Sequence, residues 1–405
     1  MKKLILVTLV LCMALSACTK AEVGKAPTAE SAAASSVEST ASGGKSAASE
    51  VSLPEKTKTA AHVTKTLSSG VVVDADVTMP ESMQKTELPE MKGTGHEVAH
   101  EGLSEVFFGG AEVESTVTEI ADNGYFSSNT MLELWQVGDT VLSAVGTTVA
   151  YSNGREVTAM YLFSEYASSL PFGDNRAVYL TGKNLDFATI DEVKEKMRAY
   201  IDALGVSVLE PTCYTMDYDT MRAVYDGRTA LETYNADFDF VIEPTKENEQ
   251  YVLEYPITVN GMPLGSFDGG SYSDNVFTPG TYLTAVLDED GIRHFDVSYV
   301  LKETETGDAQ RVLTLDEALD KVDEKYNSII MEGDYYINDI QMAYTPIKTD
   351  DAGIVRLIPV WYFQTTHQIL LPDKSGTGEI MLPQDGYILI NALDGTELLH
   401  ENGEI

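Results

Sequence analysis

Apolar and polar residues alternate along several short stretches of the chain, and this period of two predicts β-strands. The first clear case runs from Val71 to Met79, and the pattern returns often in the second half. The other predicted strands cover residues 251–259, 281–287, 292–301, 337–348, 355–366 and 387–391. Tight turns such as residues 288–291 join neighbouring strands, so hairpins outnumber crossovers and we expect antiparallel sheets.

Two segments have the helical period instead. Each begins with a capping box, Thr189 with Glu192 and Thr314 with Glu317, and the first ends at Gly205. The apolar stripes are Ile190, Val193, Met197, Ile201 and Leu204, and then Leu315, Leu319, Val322, Tyr326 and Ile329. We therefore predict an α+β fold of antiparallel sheets, each covered by a helix. The shared start fits an internal duplication, although capping boxes also arise independently.

Aromatic residues mark where a folded core begins. All 35 Phe, Trp and Tyr residues lie at or after Phe107. Residues 18–65 are mostly Ala, Ser, Thr, Glu and Gly, and this composition buries too little apolar surface to offset the entropy of ordering. We therefore expect a disordered tether over residues 18–65, a first α+β domain over 66–250 and a second over 251–405.

The first eighteen residues have the pattern of an export signal. Lys2 and Lys3 precede an apolar run that is too short for the roughly 20 residues of a spanning helix. The tetrad Leu15, Ser16, Ala17 and Cys18 that follows resembles the lipobox of bacterial lipoproteins. This resemblance implies removal of residues 1–17 as a signal peptide and acylation of Cys18, which would anchor the chain by fatty acids such as palmitate. The alternative is an ordinary secretory signal with a chance cysteine.

Charge limits the partners that the chain can bind. It has 64 acidic residues against 27 Lys and Arg, a net charge of −37. This charge excludes nucleic acid and repels anionic lipid headgroups, so only the lipid anchor would hold the protein at a membrane. Basic partners would be attracted, and Ca²⁺ or Mg²⁺ would associate diffusely.

One motif indicates zinc chemistry. Residues 96–100 read His-Glu-Val-Ala-His, and on a helix His96 and His100 would bind Zn²⁺ while Glu97 acted as general base. The candidates for a third ligand are Glu114, Glu119 and Glu133. Glycines before the motif and Gly102 after it favour a solvated loop or helix start instead. We expect no resident cofactor, with zinc as the alternative.

Other candidate chemistry is thinner. Cys213 has no intrachain partner once Cys12 leaves with the signal and Cys18 is acylated, and we expect a buried thiol. A catalytic thiol would use His294 or His367 as its base. The acidic clusters at residues 217–220 and 237–240 could supply oxygen ligands to Ca²⁺, but they lack the spacing of an EF-hand.

The last ninety residues resemble PepSY-type modules. The helix that opens at Thr314 is followed by strands containing Ala343–Pro346 and Leu357–Phe363, and then by Ile390–Leu398. The YycH/YycI-type extracytoplasmic regulators of the Wal cell-wall histidine kinase share this order. Residues 255–264 are similar to propeptide modules of secreted metalloproteases. The whole chain also resembles uncharacterised lipoproteins of Gram-positive firmicutes.

These resemblances imply an inhibitory, chaperoning or sensing module outside the membrane, with no catalytic residues to carry over. We therefore expect a non-catalytic protein-binding or regulatory lipoprotein on the outer face of the cytoplasmic membrane of a Gram-positive bacterium. Its partner would be another envelope protein. The alternatives are a zinc metallopeptidase that uses His96, Glu97 and His100, and a small-ligand-binding lipoprotein, which would require a large apolar pocket.

Overall fold

Most of the described backbone lies in two β-sheets. The computed structural model describes residues 59–121, 129–154, 156–163, 176–227, 242–265, 282–297, 300–329, 333–351, 353–372 and 379–398. The predicted signal peptide, the lipobox and most of the predicted tether lie outside these ranges.

The strands in chain order are β1 Thr59–Thr66, β2 Val72–Thr78, β3 Glu87–Gly95, β4 Glu114–Ala121, β5 Asn129–Val137, β6 Thr140–Val145, β7 Thr148–Ser152, β8 Ser207–Val208, β9 Thr212–Met216, β10 Gln250–Val259, β11 Met262–Pro263, β12 Tyr282–Asp288, β13 Gly291–Val297, β14 Leu301–Arg311, β15 Tyr335–Lys348, β16 Ile354–Pro372 and β17 Glu379–Asn391. The described α-helices are α1 Leu103–Phe108, α2 Glu156–Phe163, α3 Ile190–Leu204, α4 Tyr218–Gly227 and α5 Leu315–Asn327. None of these helices is long and apolar enough to cross a membrane.

The first sheet, here called the terminal sheet, combines strands from the two ends of the described chain. Its order is β1-β2-β15-β16-β3-β14, and β17 pairs with the later part of β16. The β2–β15 pair is parallel and the other pairs are antiparallel. The expected purely antiparallel arrangement therefore needs correction at this pair, because β2 and β15 are far apart in sequence and no hairpin sets their direction.

The second sheet, here called the middle sheet, contains β4 to β13. Its order is β11-β10-β12-β13-β7-β6-β5-β4, with β8 and β9 also paired to β10. All of its pairs are antiparallel, as the hairpin-rich sequence predicts. β4 lies at one end of this order and pairs with β5 alone among the described strands.

The expected domain boundary between residues 250 and 251 does not separate the two sheets. β9 pairs with β10 across it, and β1 to β3 pair with strands of the C-terminal third. All described residues belong to one compact unit, Leu53–Ile405. The expected tether also ends earlier than residue 65, because β1 begins at Thr59 and pairs with β2. Composition did not predict this strand, since its pairing partner, and not its own apolar content, holds it in place.

The two predicted capping boxes are confirmed, and each helix packs on a different sheet. In α3 the Thr189 hydroxyl accepts from the Glu192 amide, and Gly205 ends the helix with φ 65°. Tyr200 of α3 meets Phe295 of the middle sheet, with ring centroids 6.4 Å apart. Tyr326 of α5 meets Tyr335 of the terminal sheet at 5.0 Å. The α+β class is thus confirmed broadly, but the sheets are larger and the helical cover smaller than expected.

Candidate functional site

The segment that carries the zinc-like motif is not helical. Residues 96–100 follow β3 as irregular backbone, and α1 begins only at Leu103. The amide of His96 donates to the Val300 carbonyl at 2.7 Å, and that of Val98 donates to Gly146 at 2.9 Å. These bonds tie the segment to loops beside the sheets, so the two imidazoles do not share the face of a helix.

One predicted third ligand does contact the motif. The His100 Nδ1 atom lies 3.2 Å from Glu133 Oε2, and the Ser115 hydroxyl donates to Glu133 Oε1 at 3.2 Å. The His100 ring packs edge-on against Trp135, with centroids 5.9 Å apart. Glu97 is exposed, and within the described ranges no three His, Cys, Asp or Glu side chains are arranged to hold a metal ion. Glu114 and Glu119, the other candidates, lie on β4.

The structure does not bring Cys213 together with either candidate base. Cys213 lies on β9 and His294 on β13, three strand positions away, or roughly 14 Å at the usual strand spacing. His367 belongs to the terminal sheet, where it stacks on Tyr335 at 4.8 Å. Burial raises the pKa of the Cys213 thiol to about 11. The thiol is therefore protonated at neutral pH and is a poor nucleophile.

The first acidic cluster has a structural role. Asp217 is buried at the start of α4 and accepts hydrogen bonds from the Thr220 amide at 3.1 Å and hydroxyl at 2.7 Å. Lys183 Nζ lies 3.5 Å from the same carboxylate. Both oxygens therefore already have partners within the protein. The second cluster, residues 237–240, lies outside the described residues.

A small cleft lies where strands of the two sheets meet. It is lined by Thr78, Pro80, Leu209, Pro256, Pro263, Leu264, Gly265, Gln341, Met342 and Ala343. Several of these residues are apolar, yet the cleft is much smaller than the several hundred cubic ångströms of a typical small-molecule site. It gives little support to the small-ligand alternative.

The edge strand β4 lies near the motif and is exposed and regular. All eight of its residues pair with β5 without a register shift, from Glu114 opposite Gln136 to Ala121 opposite Asn129. The side chains of residues 114–118 are all exposed, and Val117 is 53% exposed. Among the described strands, none pairs with the other side of β4.

Two other strands that end the sheet orders, β1 and β14, are guarded, and β11, at the far end of the middle sheet, has only two residues. β14 has register shifts between Glu303 and Glu305 and between Thr306 and Ala309, and it carries Lys302. β1 has a shift after Thr59, and it carries a lysine. Bulges and lysines prevent unwanted strand addition at sheet edges. β4 has no bulge, lysine or proline, and its charged residues, Glu114 and Glu119, would repel an acidic strand but attract a basic one.

An acidic segment leads into β4. Its exposed carboxylates belong to Glu97, Glu101, Glu105 and Glu112. No Lys or Arg occurs between Lys92 and Arg155 in the sequence, and in the described part of the chain none of these four carboxylates forms an ion pair. The contact of His100 with Glu133 fixes this segment against β5, next to β4. Glu97 and Glu101 flank the anchored His100 in sequence, and Glu112 precedes β4 by two residues, so negative charge lies next to β4.

The alternation pattern did not predict β4. Both of its faces are exposed, so apolar and polar residues do not alternate as they do in a half-buried strand. The signal that could have indicated it is the run Ser115-Thr116-Val117-Thr118, which is rich in β-branched residues and follows the turn at Gly109–Gly110.

Comparisons with known proteins inform the fold alone. No family model and no curated protein matches the chain. The structure is similar to that of an uncharacterised protein from Eubacterium rectale, with a TM-score of 0.58 and 16% identity over 81% of this chain and 90% of that one. It is also weakly similar to the Bacillus megaterium YpeB C-terminal domain, at a TM-score of 0.25 and 12% identity over 75% of this chain and 96% of that one. The first similarity shows a shared fold, and the second is too weak to carry an argument.

Proposed function

We propose that this protein is a lipid-anchored extracytoplasmic lipoprotein that acts as a non-catalytic protein-binding or regulatory module of the cell envelope. The observation that carries the proposal is the tetrad Leu15-Ser16-Ala17-Cys18, directly after a basic start and a short apolar run. A diacylated Cys18 would hold the folded part on the outer face of the cytoplasmic membrane of a Gram-positive bacterium, because two acyl chains anchor a protein stably. The PepSY-like resemblance of the last ninety residues agrees with such a module.

Three features of the structure support binding over catalysis. The backbone at residues 96–100 forms hydrogen bonds with two loops and is not the helix that the zinc motif requires. The Cys213 thiol is protonated at neutral pH and lies far from His294, the candidate base on the same sheet. In contrast, no described strand pairs with the outer edge of β4, and the side chains of residues 115–118 on it are exposed. Its partner would be another envelope protein, and the negative charge of the chain favours a basic one.

Lipidation is tested by growing cells that express the full chain with an alkyne-labelled fatty acid. We expect the unchanged chain and its Cys213→Ser control to incorporate the labelled fatty acid and to appear in the membrane fraction. The Cys18→Ser chain should show neither the label nor membrane association. A Cys18→Ser chain that keeps the label and stays in the membrane would contradict the anchor. The binding role is tested by placing photo-crosslinking residues at exposed positions on several faces of the anchored chain, and a chain that crosslinks to no envelope protein from any position contradicts it.

A second candidate function, zinc proteolysis, is favoured by the contact between His100 and Glu133. Its test is the metal content of the purified chain, measured by mass spectrometry, beside the variants His100→Ala and His62→Ala. One zinc per chain that is lost in His100→Ala and kept in the His62→Ala control would support a zinc site. Absence of zinc from all three proteins would leave the binding module as the better explanation.

A further inference from the structure

We propose that β4 is the edge at which this protein binds a basic, extended segment of its partner as an additional strand of the middle sheet. This inference rests on the proposed protein-binding function and names its site and the chemistry of its partner. An edge strand presents a row of N–H and C=O groups, and strand addition obtains its affinity from main-chain hydrogen bonds. The eight paired residues of β4 span about 27 Å, which is long enough for a typical strand.

The regular register of β4 makes it suitable for a new strand. Because β4 pairs with β5 without a bulge, its outward backbone groups keep the even geometry that a partner strand requires. β1 and β14 both have register shifts and therefore lack this geometry over their full length. β11 has only two residues, and β17, whose register is also regular, contains Pro383, so the geometry favours β4 among the edge strands of the described sheets.

Side chains on β4 would contact alternate residues of the added strand. Ser115 and Val117 lie opposite Trp135 and Glu133 of β5, so these side chains share one face of the sheet. Val117 is more than half exposed and provides an apolar contact in the middle of the edge. One side chain of a new strand, an apolar one, would lie beside Val117. The side chains two residues before and after it on the new strand would lie on the same face, towards the carboxylates on this side of the sheet.

The acidic segment determines the charge of the occupant. Glu97, Glu101, Glu105 and Glu112 are exposed, and the described residues provide no cation to pair with them. Lys or Arg side chains on an incoming strand would be attracted, and acidic strands would be repelled. A second copy of this chain would bring two acidic segments together along paired β4 strands, so charge disfavours self-association here.

The direct test uses a synthetic peptide of alternating Lys and Val as the probe. It is compared with a peptide in which Glu replaces Lys, and with a Lys-Val peptide whose alternate amides are N-methylated and cannot pair. We expect the full chain to bind only the unmodified Lys-Val peptide, with amide hydrogen exchange slowed at residues 114–118 and unchanged in β14. Raising the salt concentration should weaken this binding.

Three variants locate the site. Val117→Lys places a like charge in the middle of the edge and should weaken binding about tenfold, whereas Val117→Thr keeps a neutral β-branched residue and should change it little. Thr304→Lys puts the same charge at an exposed position on β14 and should leave binding unchanged. Thermal unfolding of all three variants checks that the fold is retained.

Several results would overturn the proposal. They are equal binding of the N-methylated peptide, protection at a strand other than β4, or no binding at all. Self-association that Val117→Lys abolishes would identify a second copy as the occupant and would also overturn it.

Crosslinking in cells separates this inference from the proposed function. A photo-crosslinking residue at Thr116 should capture a partner through a Lys- or Arg-rich peptide, identified by mass spectrometry, and Val117→Lys should abolish this capture. If a partner is captured only from Thr304 or other faces and Val117→Lys has no effect, the binding function stands and the β4 site is wrong. If no position captures a partner, the binding function itself fails.

Discussion

His62 joins β1 to β2 through both of its ring nitrogens. Nδ1 lies 2.9 Å from the Asp76 carboxylate and Nε2 lies 2.9 Å from that of Asp74, while Thr64 also donates to Asp74. Only the protonated imidazole can donate from both nitrogens at once. The hydrogen bonds to Asp76 and then Asp74 raise the pKa of His62 above its ordinary value of 6.5. The pairing of β1 is therefore coupled to pH.

We predict that these contacts stabilise β1 fully below pH 6.5 and are lost as the pH rises through the raised pKa of His62. The sign follows because the folded form binds the proton more tightly than the unfolded form. NMR titration of His62 measures its pKa directly, and amide exchange in β1 reports the pairing. The effect should be absent in His62→Gln, and a His62 pKa at or below 6.5 would contradict the coupling.

Cys213 should react slowly with alkylating reagents in the native protein. Burial raises the pKa of its thiol to about 11, so little thiolate forms at pH 8. We expect native alkylation by iodoacetamide, followed by mass spectrometry, to be at least about tenfold slower than alkylation of the urea-unfolded chain. Rapid native labelling would instead reveal an activated cysteine and revive the thiol chemistry that the fold disfavours.

At the scale of elements, the capping boxes were the most predictable features of the fold. Thr189 and Thr314 accept from the amides three residues on, and both helices start where the sequence predicts. In α5, hydrogen bonds from Arg311 and Thr314 lower the pKa of Glu317 to about 2. Both boxes are local, so they can be predicted without knowing what each helix packs against.

Removing either capping hydroxyl should destabilise the protein by about 1 kcal/mol, because one amide in the first turn loses its acceptor. We expect Thr189→Ala and Thr314→Ala to lower the free energy of unfolding in urea by this amount, and the matched Thr→Ser variants to change it little. Equal losses in the Ala and Ser variants would mean that the threonine methyl groups, and not the caps, stabilise these helices.

The sequence predicted strands correctly where one face of the strand is buried. The prediction failed where residues remote in sequence determine the pairing. The alternation at residues 251–259 and 337–348 predicted β10 and β15 almost to their ends. Residues 292–301 were predicted as one strand, but β13 ends at Val297 in the middle sheet and β14 begins at Leu301 in the terminal sheet. A local pattern cannot show that the chain changes sheets there, and the exposed faces of β4 leave no pattern at all.

The candidate site was predicted in part. The zinc hypothesis required a histidine of the motif to contact an acidic residue distant in sequence, and His100 does contact Glu133. The helix that the same hypothesis required is absent at residues 96–100, because backbone bonds to Val300 and Gly146 hold this segment in an irregular conformation. Those partners are remote in sequence, so the spacing of the motif could not indicate them.

At the scale of the whole molecule, the two sheets are assembled from distant parts of the chain. The terminal sheet requires β1 to β3 from the first hundred residues and β14 to β17 from the last hundred or so. The buried side chains form a continuous core that includes residues of both sheets, α3 and α5. A duplication into two independent modules would have kept each helix and its sheet within one half of the sequence, and the observed pairing does not follow that division.

We therefore predict that the two halves expected from the sequence do not fold separately. A fragment of residues 251–405 would lose β9 beside β10, β2 beside β15 and β3 beside β16. In the fragment, β10, β15 and β16 would then expose unpaired backbone groups and the apolar residues beneath them. The free energy lost in this way is more than a small domain can offset. The fragment should unfold without a cooperative thermal transition and should show poorly dispersed amide resonances.

Mixing this fragment with residues 53–250 provides the matched control, because the pairs broken by the cut can form again between the two pieces. We expect the mixture to regain dispersed resonances and a cooperative transition that depends on concentration, as for any association-coupled fold. A fragment of residues 251–405 that folds cooperatively alone would contradict the shared core. In that case the strands contributed by the first hundred residues would be additions to a self-sufficient C-terminal module.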